Sequence, residues 1–155
     1  MKKIHNIRTN YQFGSLSKSD LAYSPIKQFK DWFSQIINLM TEPTAMTLST
    51  YSKRYGVDSR IVLLKEIKQD GFIFYTNYNS IKGKQISSNN NVSLSFFWPE
   101  LQRQVRVNGV AFKLSDAYST RYFKSRPKKS QISACISQQS EVAFSRNLME
   151  KQFNL

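Results

Sequence analysis

Between residues 44 and 114 the chain alternates short β-rich runs with turn residues, and this pattern limits its fold more than any other feature. The runs are TAMTLST at 44–50, VDSRIVLLKEI at 57–67, FIFYT at 72–76, NVSLSFFW at 91–98 and LQRQVRVNGVAFKL at 101–114. Their β-branched and aromatic residues suit a pleated, half-buried surface. The breaks at 53–56, 69–71 and 99–100 are short enough for antiparallel hairpins, with Gly71 placed where such a turn needs φ > 0. Only the connection over 79–90 has room for a helical turn or two. Consecutive strands joined this way predict a meandering antiparallel sheet that curls into a barrel, a β-barrel with helices of the α+β class.

Helices are predicted on either side. Pro25 after a Ser24 cap opens one, and Ile26, Phe29, Phe33, Ile36, Ile37 and Met40 recur at helical spacing, which predicts a buried face. Ser115 and Asp116 start a second over DAYSTRYFKSR, which Pro127 ends. SQISACIS and SEVAFSRNLMEKQF carry further helical spacing. Residues 1–23 show no sustained period and read as a mobile N-terminal arm. With no linker, repeat or low-complexity stretch, residues 1–155 are expected to form a single domain.

Composition narrows the chemistry. Lys plus Arg number 23 against 10 Asp plus Glu, a net charge of +13, which favours polyanions, anionic membranes or phosphorylated small molecules without choosing among them. A lone cysteine, Cys135, excludes an intramolecular disulfide, and no N-terminal apolar leader is present, so a cytoplasmic protein is expected. No window approaches the ~20 apolar residues needed to cross a bilayer. His5 is the only histidine, which argues against a histidine-rich metal site and a Ser-His-Asp triad; any chemistry then comes most economically from a bound cofactor.

The stretch from 60 to 84, RIVLLKEIKQDGFIFYTNYNSIKGK, has the form of an anion site on a sheet. Arg60 and Lys65 bracket four aliphatic residues, and Tyr75, Thr76, Ser80 and Lys82 bring hydroxyls and charge just past the next strand. Strict alternation sets Arg60 with Val62 and Leu64 on one face and Lys65 with Ile61 and Leu63 on the other. Both cations reach one ligand only if it wraps a strand edge or a bulge intervenes, and taken alone the pair reads as solvated strand ends. Tyr122, Arg126 and Ser130 surround the break at Pro127, where a phosphate could be gripped. Gln104 lies on a polar strand face with Gln102, Arg106 and Asn108. Gln138, Gln139 and Ser140 read as capping groups at a helix start, and Cys135 as a small buried residue.

In order, EPTAM at 42–46, RIVLLK at 60–65, FYTN at 74–77, SIKGKQI at 80–86, RQVRVNG at 103–109, YFKSRPKKSQI at 122–132 and SQQS at 137–140 resemble the pyridoxine (pyridoxamine) 5'-phosphate oxidase family of vitamin B6 metabolism. The resemblance implies a split β-barrel of antiparallel strands, a homodimer with FMN at the interface, and oxidation of pyridoxine or pyridoxamine 5'-phosphate to pyridoxal 5'-phosphate by dioxygen. Carried over by position, the FMN contacts are Arg60, Ile61, Val62, Leu63, Leu64, Lys65, Tyr75, Thr76, Lys82, Gln104, Gln139 and Ser140. The substrate contacts are Lys65, Tyr122, Arg126 and Ser130, with Arg8 and Tyr11 closing over the pocket from the arm. No residue is assigned a catalytic proton transfer, and no metal, membrane or nucleic-acid partner is implied.

Two departures qualify what is expected. Ile81 stands where the family often has a basic residue reaching FMN. The family also continues past Leu155 through a Trp and an Arg that contact FMN and an Arg-x-His that touches substrate, so lower FMN affinity and impaired turnover are expected. An FMN- or B6-phosphate-binding protein without turnover is the first alternative. A nucleic-acid binder, supported by charge alone, ranks well below it.

Overall fold

The computed structural model describes residues 3–142 and 145–153. Its centre is a four-stranded antiparallel sheet of β1 (Ala45–Ser52), β2 (Gly56–Leu63), β5 (Asn91–Trp98) and β6 (Arg103–Val110), in the order β2-β1-β5-β6. A hairpin of β3 (Glu66–Ile67) and β4 (Phe72–Ile73) forms a second, two-stranded sheet. The strands are therefore not a simple meander. Residues 79–90, the one long connection, carry α2 (Ile81–Ser88), which packs on β1 and returns the chain so that β5 pairs with β1.

One strand passes between the two sheets. Leu64 N–H still donates to Thr44 O at 2.8 Å, extending the β1–β2 ladder, but the next N–H, that of Lys65, donates to Ile73 O at 2.8 Å and begins the second sheet. A chain that changes partner in this way is what splits a sheet into two halves. The left-handed turn glycine is Gly56, at φ +69° in the β1–β2 connection; Gly71 has no positive φ, because Lys68 N–H to Gly71 O closes the β3–β4 hairpin without one.

Alternation decides the core. Register pairs Met46 with Val62 and Leu48 with both Arg60 and Leu94, so even-numbered residues of β1, β2 and β5 share the inner face. There Met46, Leu48, Leu94, Phe96 and Trp98 are buried beneath α1 (Pro25–Ile36), which contributes Phe29 and Ile36. Phe29 meets Phe72, Phe96 and Trp98 at ring-centroid distances of 4.8, 4.9 and 5.5 Å. Ser24 caps α1 as predicted, its Oγ accepting from Lys27 N–H at 3.2 Å. Ile37 lies past the helix and is 48% exposed, outside the buried face it was assigned to.

Three helices follow the sheets: α3 (Asp116–Ser125), α4 (Lys128–Ile136) and α5 (Arg146–Phe153). Pro127 separates α3 from α4 as expected. Cys135 is exposed, not buried. The described part of the N-terminal segment makes two 3-10 turns, at Ile4–Asn6 and Lys18–Asp20, and is exposed almost throughout.

Candidate functional site

The inner face of the edge strand β2 ends in charge. Arg60 sits opposite Leu48, and one terminal nitrogen of its guanidinium donates to Leu48 O at 3.2 Å and Thr50 Oγ1 at 2.6 Å. The other donates to Gln85 Oε1 at 2.9 Å and Asp58 Oδ2 at 2.6 Å. Thr50 in turn donates to Gln85 Oε1 at 2.6 Å. Thr50 and Gln85 are fully enclosed, and Gln85 Nε2 has no partner among the described residues.

Helix α2 brings the second cation. Ser80 caps it, accepting from Gly83 N–H at 3.3 Å and donating to Asn77 O at 2.6 Å, so the first turn is held against the end of the preceding loop. Lys82 lies in that turn, only 9% exposed, and Nζ donates to Ser80 Oγ at 3.4 Å. Burial pushes its pKa below the ordinary lysine value, the nearby Arg60 pushes it further down, and Asp58 partly opposes both. Arg60 lies within electrostatic reach of the desolvated Lys82, and Gln85, which accepts from Arg60, keeps an amide N–H without a partner among the described residues; these are donors of the kind that hold a phosphate.

Aromatic residues assemble a second group. Tyr75, just beyond β4, stacks on Tyr122 of α3 with ring centroids 3.5 Å apart and planes 4° from parallel. Burial raises the Tyr75 pKa, and the neighbouring Tyr118 and Glu66 add to the rise. Tyr118 donates to Glu66 Oε2 at 2.5 Å and carries the Lys68 ammonium 4.5 Å and the Arg121 guanidinium 4.7 Å from its ring centroid.

Residues 33–154 match the family described as pyridoxamine 5'-phosphate oxidase. The chain belongs to that family. It is 48% identical over 153 residues to the pyridoxine/pyridoxamine 5'-phosphate oxidase of Hahella chejuensis, covering 97% of this chain and 72% of that protein. The Rhodopirellula baltica and Haemophilus ducreyi proteins of the same name are 47% and 49% identical, with 93% and 94% of this chain covered and 66% and 70% of theirs. Among solved structures, PhzG of Burkholderia lata, in complex with tetrahydrophenazine-1-carboxylic acid, superposes with a TM-score of 0.84 at 23% identity, covering 90% of this chain and 71% of that one. A pyridoxamine 5'-phosphate oxidase-related, FMN binding protein of Nostoc punctiforme gives 0.67 at 11% identity, with 87% and 73% covered. The oxidase family and the split-barrel class expected from the motifs are those found.

Set against the positions the oxidase family implies, the structure gathers some residues and separates others. Arg60 lies within electrostatic reach of Lys82, and Tyr75 meets Tyr122. Val62 and Leu64 are core residues, while Ile61 is 62% exposed on the opposite face of β2 and Lys65 is exposed beyond it. Lys65 therefore does not join Arg60, as alternation requires. Thr76 is half-buried beside Tyr75. Gln104 lies on the outer face of β6, its Nε2 donating to Ser95 Oγ at 3.4 Å. Gln139 and Ser140 are not at a helix start: they occupy an exposed turn after α4, with Ser140 at φ 70°. Arg126 and Ser130 are half-buried on either side of Pro127, and Arg8 and Tyr11 are exposed. Just after Tyr11, the Gln12 and Phe13 N–H groups donate to Gln102 Oε1 at 2.8 and 3.2 Å, which ties the N-terminal segment to the β5–β6 turn.

Sequence reasoning assigned no site role to Thr50, Gln85 or Asp58. The signal for Thr50 was available, because it continues the inward series of Met46 and Leu48 as a polar residue in a buried register. Gln85 follows Lys82 by three residues on one helix face.

Proposed function

We propose that the chain binds FMN through its phosphate at Arg60 and Lys82 and oxidises pyridoxine or pyridoxamine 5'-phosphate to pyridoxal 5'-phosphate with dioxygen. The observation that carries the reading is the desolvated Lys82 beside Arg60 and the unpaired Gln85 amide, an arrangement that costs stability unless an anion completes it. Membership of the oxidase family supplies the class of ligand.

FMN, when bound, supplies the redox chemistry, taking a hydride from C4' of the substrate and passing electrons to dioxygen. The side chains of this chain bind and orient. Arg60 offers a planar fork and Lys82 a point charge to the flavin phosphate, with Ser80 holding the Lys82 ammonium in place. Tyr122, Arg126 and Ser130 take the substrate phosphate, and the stack of Tyr75 on Tyr122 fixes the first of these against the cofactor side. Lys65 adds charge from the outer face, and Gln139 and Ser140 add polar groups to the flavin. Arg8 and Tyr11 close over the substrate from the N-terminal segment.

Pairing of two copies is part of this reading. Gln104 is on the outer face of β6 and Arg60 on the inner face of β2, with β1 and β5 between them, a span of roughly 14 Å at ordinary strand spacing. The outer face, which carries Gln104, is where a partner subunit would lie. That face exposes Val57, Ile61, Phe97 and Val110 at 57–76%, an apolar patch suited to self-association.

Oxygen uptake on adding pyridoxine 5'-phosphate to the FMN-loaded protein tests the reaction. Uptake that saturates with substrate and yields pyridoxal 5'-phosphate is expected. A folded, flavin-loaded protein that consumes no oxygen would leave a binding protein without turnover.

A further inference from the structure

We propose that Asp58 is a built-in competitor for the flavin phosphate, setting how strongly the site prefers a phosphorylated flavin over its dephosphorylated form. The inference rests on the reading of Arg60 and Lys82 as the phosphate cradle. Asp58 and Arg60 are two residues apart on β2 and share its inner face, opposite Thr50 and Leu48. The two terminal nitrogens of Arg60 carry four N–H donors, and they make hydrogen bonds to Leu48 O, Thr50 Oγ1, Gln85 Oε1 and Asp58 Oδ2. An incoming phosphate finds that fork already engaged.

Of the four acceptors, one can yield at little cost. Leu48, Thr50 and Gln85 are enclosed and neutral, and moving any of them strands a buried polar group or opens the core. Asp58 is different: its side chain is 49% exposed, so its carboxylate can turn to water and remain solvated. It is also the one anion on the guanidinium, and two anions on one fork repel each other. Phosphate therefore displaces Asp58, or shares Arg60 with it at reduced strength, while the three neutral acceptors keep Arg60 in position. Riboflavin, which lacks the phosphate, does not enter this exchange. The same carboxylate also offsets part of the downward push on the Lys82 pKa, which places it within electrostatic reach of both cations.

The test is a pair of titrations, FMN and riboflavin, into the wild-type protein and Asp58→Asn, followed by flavin fluorescence. Asn keeps the size of the side chain and an oxygen for Arg60 while removing the charge. The expected result is FMN binding at least fivefold tighter in Asp58→Asn, with riboflavin affinity unchanged within twofold. FMN affinity that is unchanged or weaker, or an equal tightening for both flavins, overturns the role of Asp58. If the wild-type protein binds the two flavins alike, the phosphate cradle itself falls and the competitor with it. Asp58→Ser, which lacks both charge and reach, must show the same direction; should Asp58→Asn fail to fold, it carries the test alone.

Discussion

Lys82 matters because of where it is buried, in a chain whose other cations are mostly exposed. An ammonium held out of water beside a guanidinium is a poor arrangement for an empty protein and a good one for a phosphate. Lys82→Met is expected to weaken FMN binding at least tenfold while leaving the melting temperature of the flavin-free protein unchanged or higher, as calorimetry can measure. The pH dependence follows in sign. The folded pKa of Lys82 lies below its ordinary 10.5, so between the two values the unfolded chain binds more protons and flavin-free stability rises with pH. Bound phosphate restores the proton to Lys82. FMN affinity therefore falls as pH climbs through the flavin-free pKa towards the ordinary 10.5, and titrations taken up to that value should show this fall in the wild type and a flatter profile in Lys82→Met. A profile identical in both proteins would remove Lys82 from the phosphate site. Arg60 and Lys82 were legible because their motifs are local runs; Asp58, Thr50 and Gln85 were not, because their roles depend on β1–β2 register and on how α2 lies across β1.

At the scale of elements, α2 is the part that turns a sheet into a site. Gly83 allows its close approach: a Cβ there would lie 2.2 Å from Tyr78 O, a backbone atom that cannot rotate away. Gly83→Ala is expected to cost roughly 1–3 kcal/mol, lowering the melting temperature by at least about 2 °C. It should weaken FMN binding too, because the same turn carries Ser80 and Lys82. Phe96, fully buried and in contact with Phe29, Phe72 and Trp98, holds the opposite layer. Phe96→Ala should destabilise by about 3–5 kcal/mol in a denaturant titration. The strands and α1 could be read from alternation and capping, which are local. The order β2-β1-β5-β6 could not, since the choice of partner for β5 is made by the packing of α2. Gly71 failed as the left-handed turn residue for a related reason: the hydrogen bond that closes its hairpin sets the backbone, and glycine there is permitted but not required.

At the scale of the molecule, the exposed apolar residues on the outer face of the main sheet support the proposed pair of subunits. Phe97→Asp places a charge on that face, where Phe97 is 63% exposed in the single chain. The expected outcome is loss of the dimer by light scattering together with loss of FMN binding, with the fold retained by circular dichroism. A monomeric variant that still binds FMN as the wild type does would confine the site to one chain.

Titrating FMN and riboflavin into the purified protein is the most direct check on a phosphate held by Arg60 and Lys82. The account predicts FMN binding at micromolar or tighter affinity, with riboflavin at least tenfold weaker. Equal affinities, or no flavin bound by the folded protein, would contradict it.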